Sequence, residues 1–319
     1  MDLSIIIVNW NSKEYLRKCI NSILAETHGI EFEIVVIDNA SFDGCDEMLR
    51  RHYPQVRFIQ SDRNLGFAKA NNAAFHTTCG RDILFLNPDT ELVNSAVAIM
   101  LKYLRQLPNA GAVGCKLLNW DKTVQTSCVQ SFPTILNQLL ASELLRTLWP
   151  KSSLWGNAPL FGDCNGPEEV EAISGACVMM NRNVFEQVNL FSEDYFMYTE
   201  DIDLCYKMRK AGLKNYYIAD GTVIHFGGGS TEKGSSGFSA IIMRESIWRF
   251  LRKTRGKYYG LGYRISTLIS AIGRIGMLTI ISPLYIFRRD IKSWKSTFRK
   301  WRAILSWSLG LEDLARNRG

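Results

Sequence analysis

Apolar and polar positions alternate along the first third of the chain in blocks of two kinds. Short continuous apolar runs, "SIIIV" from Ser4, "FEIVVID" from Phe32, "VRFIQ" from Val56 and "DILFLN" from Asp82, have the length and β-branched content of strands covered on both faces. Between them "KEYLRKCINSIL", "DEMLRR", "AKANNAAFHTT" and "SAVAIMLKYLRQL" repeat apolar residues at three- and four-residue spacing, which predicts helices. Strand and helix in strict alternation predict a doubly wound α/β sheet. Right-handed crossovers place every strand's C-terminal end on one rim. The residues arriving there are Asn9, then Asp38 and Asn39, then Asp62 to Asn64, then Asn87 to Asp89. Turn chemistry alone would mix Gly, Ser and Pro among them, so four rim turns in Asn or Asp favour a polar ligand pocket.

The alternation stops between about Pro133 and Glu169, where Trp149, Pro150, Trp155, Pro159, Gly162 and Pro167 suggest a mobile lid or inserted loop. Regular signals return with "VEAISGACVMMNRNVFEQV", a strand and then a helix. They continue through "FMYTEDIDLCYKMRKAG" and two strands, "NYYIA" and "GTVIHF". A glycine-rich loop, "GGGSTEKGSSG", leads into a helical tail. The expected organisation is a domain over 1–240, with halves 1–116 and 117–240, and a basic helical tail over 241–319.

Composition narrows the classes. With 319 residues and 46% hydrophobic content the chain can bury a core without staples. Its eight cysteines are scattered with no C-x-x-C pair, which speaks against a zinc ribbon or a disulfide framework and for a reducing cytoplasm. The opening "MDLSIIIVNW" has no basic region before its short apolar run and is expected to be a strand, not a signal peptide. Net charge is +7, yet the segment from Arg244 onward carries 17 Lys or Arg against 4 Asp or Glu, so the residues before it are net acidic. Because the positive charge is confined to the tail and no nucleic-acid-binding motif is present, no nucleic acid partner is expected. Neither G-x-G-x-x-G nor G-x-x-x-x-G-K-[ST] occurs at the strand turns, which removes the usual support for a nicotinamide or P-loop site.

Two stretches carry chemistry. In "YTEDIDLCYKMRKAG" a helix is expected, with Thr199 as its N-cap, Lys207, Arg209 and Lys210 in its last turn and Gly212 at its end. Glu200, Asp201 and Asp203 are either ordinary first-turn acids or, following the aromatic "YFMY", include a shielded general base. His225 is either structural or, with Asp89, one of two protein ligands for Mn²⁺ or Mg²⁺ beside a diphosphate.

Seven segments, "SIIIVNWNS", "VVIDNAS", "NLGFAKANN", "FLNPDTEL", "SGACVMMNR", "YTEDIDLCYKMRKAG" and "HFGGGS", follow the order and wording of family 2 inverting glycosyltransferases with the GT-A fold. Over residues 1 to about 250 the chain most resembles the rhamnosyltransferase-like enzymes of bacterial surface-polysaccharide assembly. The resemblance implies a Rossmann-like, doubly wound mixed sheet and transfer of a sugar, rhamnose among the candidates, from a UDP or dTDP sugar to a glycan or lipid-linked acceptor. By the same resemblance "NPD" stands at the D-x-D position with an amide in place of the first acid. Asp89 and His225 would hold the divalent cation, and Asn87 would bond ribose or phosphate. Asp38 would read the pyrimidine edge, Asn9 and Asn39 would line that pocket, and Asn64, Gly66 and Asn71 would flank the nucleotide and sugar. "TED" makes Asp201 the base and Glu200 its support, in a metal-assisted single displacement with inversion. A processive synthase would resemble a Q-x-x-R-W motif and several spans, which the chain lacks. The alternative is a silent glycosyltransferase-like module that binds polysaccharide or membrane through its tail.

In the tail, residues 265–287 are long enough to span a bilayer, but Arg274, Pro283 and two glycines interrupt them. The expectation is a helix pair lying on an anionic membrane surface, with Arg288, Arg289, Lys292, Lys295, Arg299 and Lys300 toward headgroups beside Trp294 and Trp301. A peripheral enzyme on the inner face of the cell membrane follows, with a homo-oligomer through the tail helices as a further option.

Overall fold

The computed structural model of the chain describes residues 1–140, 148–149, 152, 158–161, 164, 166–227, 236–283 and 291–311. Four parallel strands, β1 (Leu3–Asn9), β2 (Phe32–Asp38), β3 (Arg57–Gln60) and β4 (Asp82–Leu86), lie in the order β3-β2-β1-β4. The first helices are α1 (Lys13–Glu26), α2 (Cys45–His52), α3 (Gly66–Phe75) and α4 (Ala96–Gln106). Ile5, Ile6 and Ile7 of β1 are wholly buried. Each is worth about 1.5–3 kcal/mol of hydrophobic stabilisation relative to exposure. Helix α1 buries Leu16, Cys19, Ile20 and Ile23, the stripe its spacing predicts.

The sheet does not stay parallel. β5 (Thr90–Leu92), β6 (Ala110–Leu118), β8 (Pro167–Val170), β10 (Cys177–Asn181) and β11 (Lys214–His225) extend it as β4-β10-β6-β11-β5. β10 runs antiparallel to both β4 and β6, and β8 pairs with β11. A separate two-stranded ladder joins β7 (Val129–Gln130) to β9 (Ala172–Ile173). Where two strands were expected at "NYYIA" and "GTVIHF", there is one, because "ADG" is absorbed as an irregularity between Ile218 and Thr222. Asn94 Nδ2 donates to the Asp220 carbonyl and the Tyr103 hydroxyl donates to its carboxylate, so the interrupted ladder keeps its polar partners.

Two compact units emerge. One comprises Met1–Phe132 and Glu143–Glu232, and the other Pro133–Ser142 and Lys233–Gly319. Within the second, Ser236–Arg255, Lys257–Ile280 and Ile291–Ser308 are helices. Residues 133–142, which had no assignable role in sequence, belong to this unit: Ile135 N–H donates to the Tyr259 hydroxyl at 3.2 Å. Arg274, whose charge argues against a span, lies over the Trp301 ring. No helix among the described residues is long and apolar enough to cross a membrane. Residues 228–235 of the glycine-rich loop, and Arg288 and Arg289, lie outside the described residues, as do Pro150, Trp155 and Gly162.

Candidate active site

Because β1 to β4 are parallel, their last residues do share one rim. Asn9 and Asp38 are register partners at the ends of β1 and β2, and Asn9 Nδ2 donates to Asp38 Oδ1 at 2.8 Å. The Ser41 hydroxyl also donates to Oδ1, while Oδ2 accepts from Ser41 N–H, Phe42 N–H and Gln60 Nε2 at 3.0, 3.0 and 2.9 Å. Burial would raise the Asp38 carboxyl, but the donors from Ser41, Gln60, Phe42 and Asn9 outweigh it and hold the group below its ordinary range. A carboxylate offers roughly four lone-pair positions. Five donors fill them, so Asp38 organises the turn that follows β2.

Asp38, Asp43 and Cys45 bring one potential ligand atom each to within 4.8 Å of one another. The set fits a cation poorly. Asp43 already accepts from Lys13 N–H and Cys45 N–H, which caps α1, and the Asn9 amide donor lies 3.2 Å from Asp43 Oδ2 and 3.4 Å from Cys45 Sγ.

The next turn is built by amides. Asn39 Oδ1 accepts from Leu65 N–H and its Nδ2 donates to Asn64 Oδ1, which in turn accepts from Gly66 N–H. Gly66 sits at φ +76°, and an added Cβ would lie 2.4 Å from the Phe196 carbonyl, so this position requires glycine. That carbonyl also accepts from Phe67 N–H. Asn71 turns back onto its own helix, donating to the Phe67 carbonyl at 3.0 Å. Asn72, not anticipated from sequence, clasps Phe191 in both directions, donating to its carbonyl and accepting from its N–H. The segment before Glu200 is thereby fastened to α3.

Asn87, Asp89 and His225 come together in space. His225 pairs with Thr90 where β11 meets β5, which brings its Nε2 3.4 Å from Asp89 Oδ1 and 3.3 Å from Asn87 Nδ2. Gln125 fixes the ring. Its Nε2 donates to Asn119 Oδ1 and to the His225 carbonyl, which turns its Oε1 toward His225 Nδ1 at 2.7 Å. With the proton on Nδ1, Nε2 presents its lone pair toward Asp89, the arrangement of a metal-binding histidine with its supporting partner. A carboxylate and an imidazole are a donor set that fits a divalent cation.

Asp201 heads the helix Glu200–Lys210. Thr199 takes the N-cap place but at φ +71°, with Tyr198 also left-handed at +68°, and its side chain does not cap. Asp201 is held instead by Gly175 N–H at 2.9 Å and Gln130 Nε2 at 3.3 Å on Oδ2, and by Ile202 N–H at 2.8 Å on Oδ1. Three of roughly four lone-pair positions are used, and one remains. Burial raises its carboxyl although the three donors pull the other way. Asp203 is structural, bonded by Ser192 and Tyr195. Gly175 and Ala176 link the two halves of the site: the first donates to Asp201, and the carbonyl of the second accepts from Asn87 N–H at 2.9 Å. A Cβ on Gly175 would meet Asp201 and Phe67.

Glu200 is buried with Oε2 unpartnered, and burial together with the neighbouring Asp201 charge pushes its carboxyl up to about 8. Between the unfolded value of about 4.3 and that value the native state holds a proton the unfolded chain releases. Stability therefore falls as pH rises across this window. Glu200→Gln is expected to match the parent in acid and to be more stable above about pH 8 by on the order of 2–4 kcal/mol. Thermal unfolding across pH measures this, and parallel curves at all pH values would refute it.

The mixed sheet is that of the GT-A fold, as solved structures show. A mannosyltransferase from Pyrobaculum calidifontis, solved with GDP-Man and Mn²⁺, superposes with a TM-score of 0.59 at 15% identity, covering 97% of this chain and 86% of that one. GalNAc-T7, solved with UDP, GalNAc and Mn²⁺, gives 0.58 at 15% identity over 79% of this chain and 48% of that one. In sequence, residues 4–188 match the model of glycosyl transferase family 2, and the chain belongs to that family. It is a glycosyltransferase similar to rhamnosyltransferases. An N-acetylglucosaminyl-diphospho-decaprenol L-rhamnosyltransferase of Mycobacterium tuberculosis is 28% identical over 241 residues, 72% of this chain and 77% of that protein. Rhamnosyltransferase WbbL of Escherichia coli K12 is 28% identical over 236 residues, 70% and 82%.

Proposed function

We propose that this glycosyltransferase moves a sugar, rhamnose by similarity, from a UDP or dTDP sugar to a lipid-linked or glycan acceptor in a single displacement that inverts the anomeric centre. The observation that carries it is the link through Gly175 and Ala176, which ties Asp201 to the turn bearing Asn87 and Asp89. Asp201 takes the acceptor hydroxyl proton at its remaining lone-pair position, while Gly175, Gln130 and Ile202 keep the carboxylate aimed. Its raised affinity for a proton makes it a better base than an ordinary carboxylate. Glu200, holding its own proton at neutral pH, keeps a second negative charge away from that base. Asp89 and His225 would hold a divalent cation, Mn²⁺ or Mg²⁺, whose chemistry is Lewis-acid neutralisation of the diphosphate. Asn9, Asn39, Asn64, Gly66, Asn71 and Asn87 shape the donor pocket. Asp38 acts there through the turn it organises, since its own oxygens are occupied.

The acceptor class comes from the Mycobacterium relative, whose name specifies a lipid-linked diphosphate. The test is thermal stabilisation and slow hydrolysis of UDP, dTDP and GDP sugars, with and without Mn²⁺. A ligand at 100 times its Kd adds about 2.7 kcal/mol, so the transition should rise by several degrees with a UDP or dTDP sugar plus cation. No response to any donor would point to a silent module.

A further inference from the structure

The helix Lys257–Ile280 is apolar on two opposite faces. One face packs into its own unit through Gly260, Tyr263, Thr267, Ala271 and Leu278. The other presents Tyr258, Leu261, Ile265, Ile269, Ile272 and Ile280, each between 49% and 79% exposed. At 100° per residue these six fall within an arc of about 100° and run some 33 Å along the helix. The two arginines inside the helix are not on this face. Arg264 lies over the Trp248 and Trp307 rings and donates to the Trp307 carbonyl, and Arg274 lies over Trp301.

A soluble surface seldom leaves so long an uncharged apolar stripe uncovered. We infer that this stripe lies in the interface of an anionic lipid membrane, with the helix in the plane of the surface. Charge selects that occupant. The segment from Arg244 to the end carries 17 Lys or Arg against 4 Asp or Glu. In the helix Ile291–Ser308 of the same unit, Lys292, Lys295, Arg299 and Arg302 recur at three- and four-residue spacing and are all exposed, while Ile304, Trp307 and Ser308 are buried. Such a basic face meets anionic headgroups favourably and repels a second copy of the same tail. An exposed apolar stripe in a unit that also carries a basic helix face, with no described helix long and apolar enough to span, is interfacial by the same physics. The inference stands apart from the sugar-transfer chemistry and holds whichever donor is used.

Co-sedimentation of the full chain with phosphatidylcholine vesicles, and with vesicles that also contain phosphatidylglycerol, tests it. Binding is expected to the anionic vesicles, weakening as salt is raised. The combined Ile265→Gln, Ile269→Gln, Ile272→Gln variant should partition about 30-fold less, and Lys292→Gln with Lys295→Gln and Arg299→Gln should lose the preference for anionic lipid. The thermal unfolding transition of the full chain serves as the folding control and should be unchanged in both. If the triple variant unfolds more easily than the parent, Leu261→Gln with Ile280→Gln repeats the measurement on the same face. Absence of binding to anionic vesicles at low salt, or binding indifferent to the isoleucines, overturns the inference. So does a dimer in sedimentation equilibrium that the triple variant dissociates, because the stripe would then be a subunit contact.

Discussion

Asp201→Asn is expected to lower transfer by about 10³-fold while nucleotide-sugar binding persists. The asparagine keeps the volume of the carboxylate but offers only one oxygen, and its amide donor must face Gly175 N–H and Gln130 Nε2 or else Ile202 N–H. It therefore loses both the proton acceptor and the orientation of the group. A general base works only when ionised, so the rate should fall as pH drops through the Asp201 pKa. Burial raises that value, which places the acid limb of the profile above the usual aspartate range. Single-turnover transfer with saturating donor separates the two effects. Retained transfer would show that Asp201 is an ordinary first-turn acid of its helix.

The second large effect is on cation and donor together. Asp89→Ala should weaken cation-dependent donor binding about 100-fold, seen as loss of Mn²⁺-dependent thermal stabilisation by the nucleotide sugar. The turn itself should survive, since it is held by main chain: Asn87 N–H to the Ala176 carbonyl, Phe226 N–H to the Asp89 carbonyl, and the β5–β11 ladder. Gln125→Leu leaves both proposed ligands in place but frees the His225 ring, and a smaller loss of about tenfold is expected. Equal stabilisation by nucleotide sugar in parent and Asp89→Ala would place the cation elsewhere.

Much of the fold was legible because it is local. Continuous apolar strands and three-to-four spaced helices gave the first four strands and their helices, and a parallel arrangement put Asn9, Asp38, Asn39 and Asn87 on one rim. His225 and Asp89 could be offered as a ligand pair on their chemistry, but with 136 positions between them nothing local fixes their approach, which is set by β11 meeting β5. Residues whose work depends on distant partners stayed hidden. Gln125 has an ordinary loop setting until β11 brings His225 to it, and Asn72 looks like a helix interior amide until Phe191 arrives. Gly175 has no signal at all beyond its place in "SGA". Asp43 carries no signal in sequence either, because the helix whose Lys13 N–H donates to it lies 30 positions earlier in the chain. The "ADG" stretch misled in the other direction, since Asn94 and Tyr103 supply the contacts that keep β11 whole. Asp203 differs from Asp201 only in what surrounds it.

The most direct measurement is the anomalous scattering of Mn²⁺ in crystals of the full chain grown with UDP. Density at Asp89 Oδ1 and His225 Nε2, with the diphosphate beside it and the open side of the site toward Asp201, is the expected result. Density among Asp38, Asp43 and Cys45 instead would contradict the account, because the cation would then lie off the turn that Gly175 and Ala176 tie to Asp201.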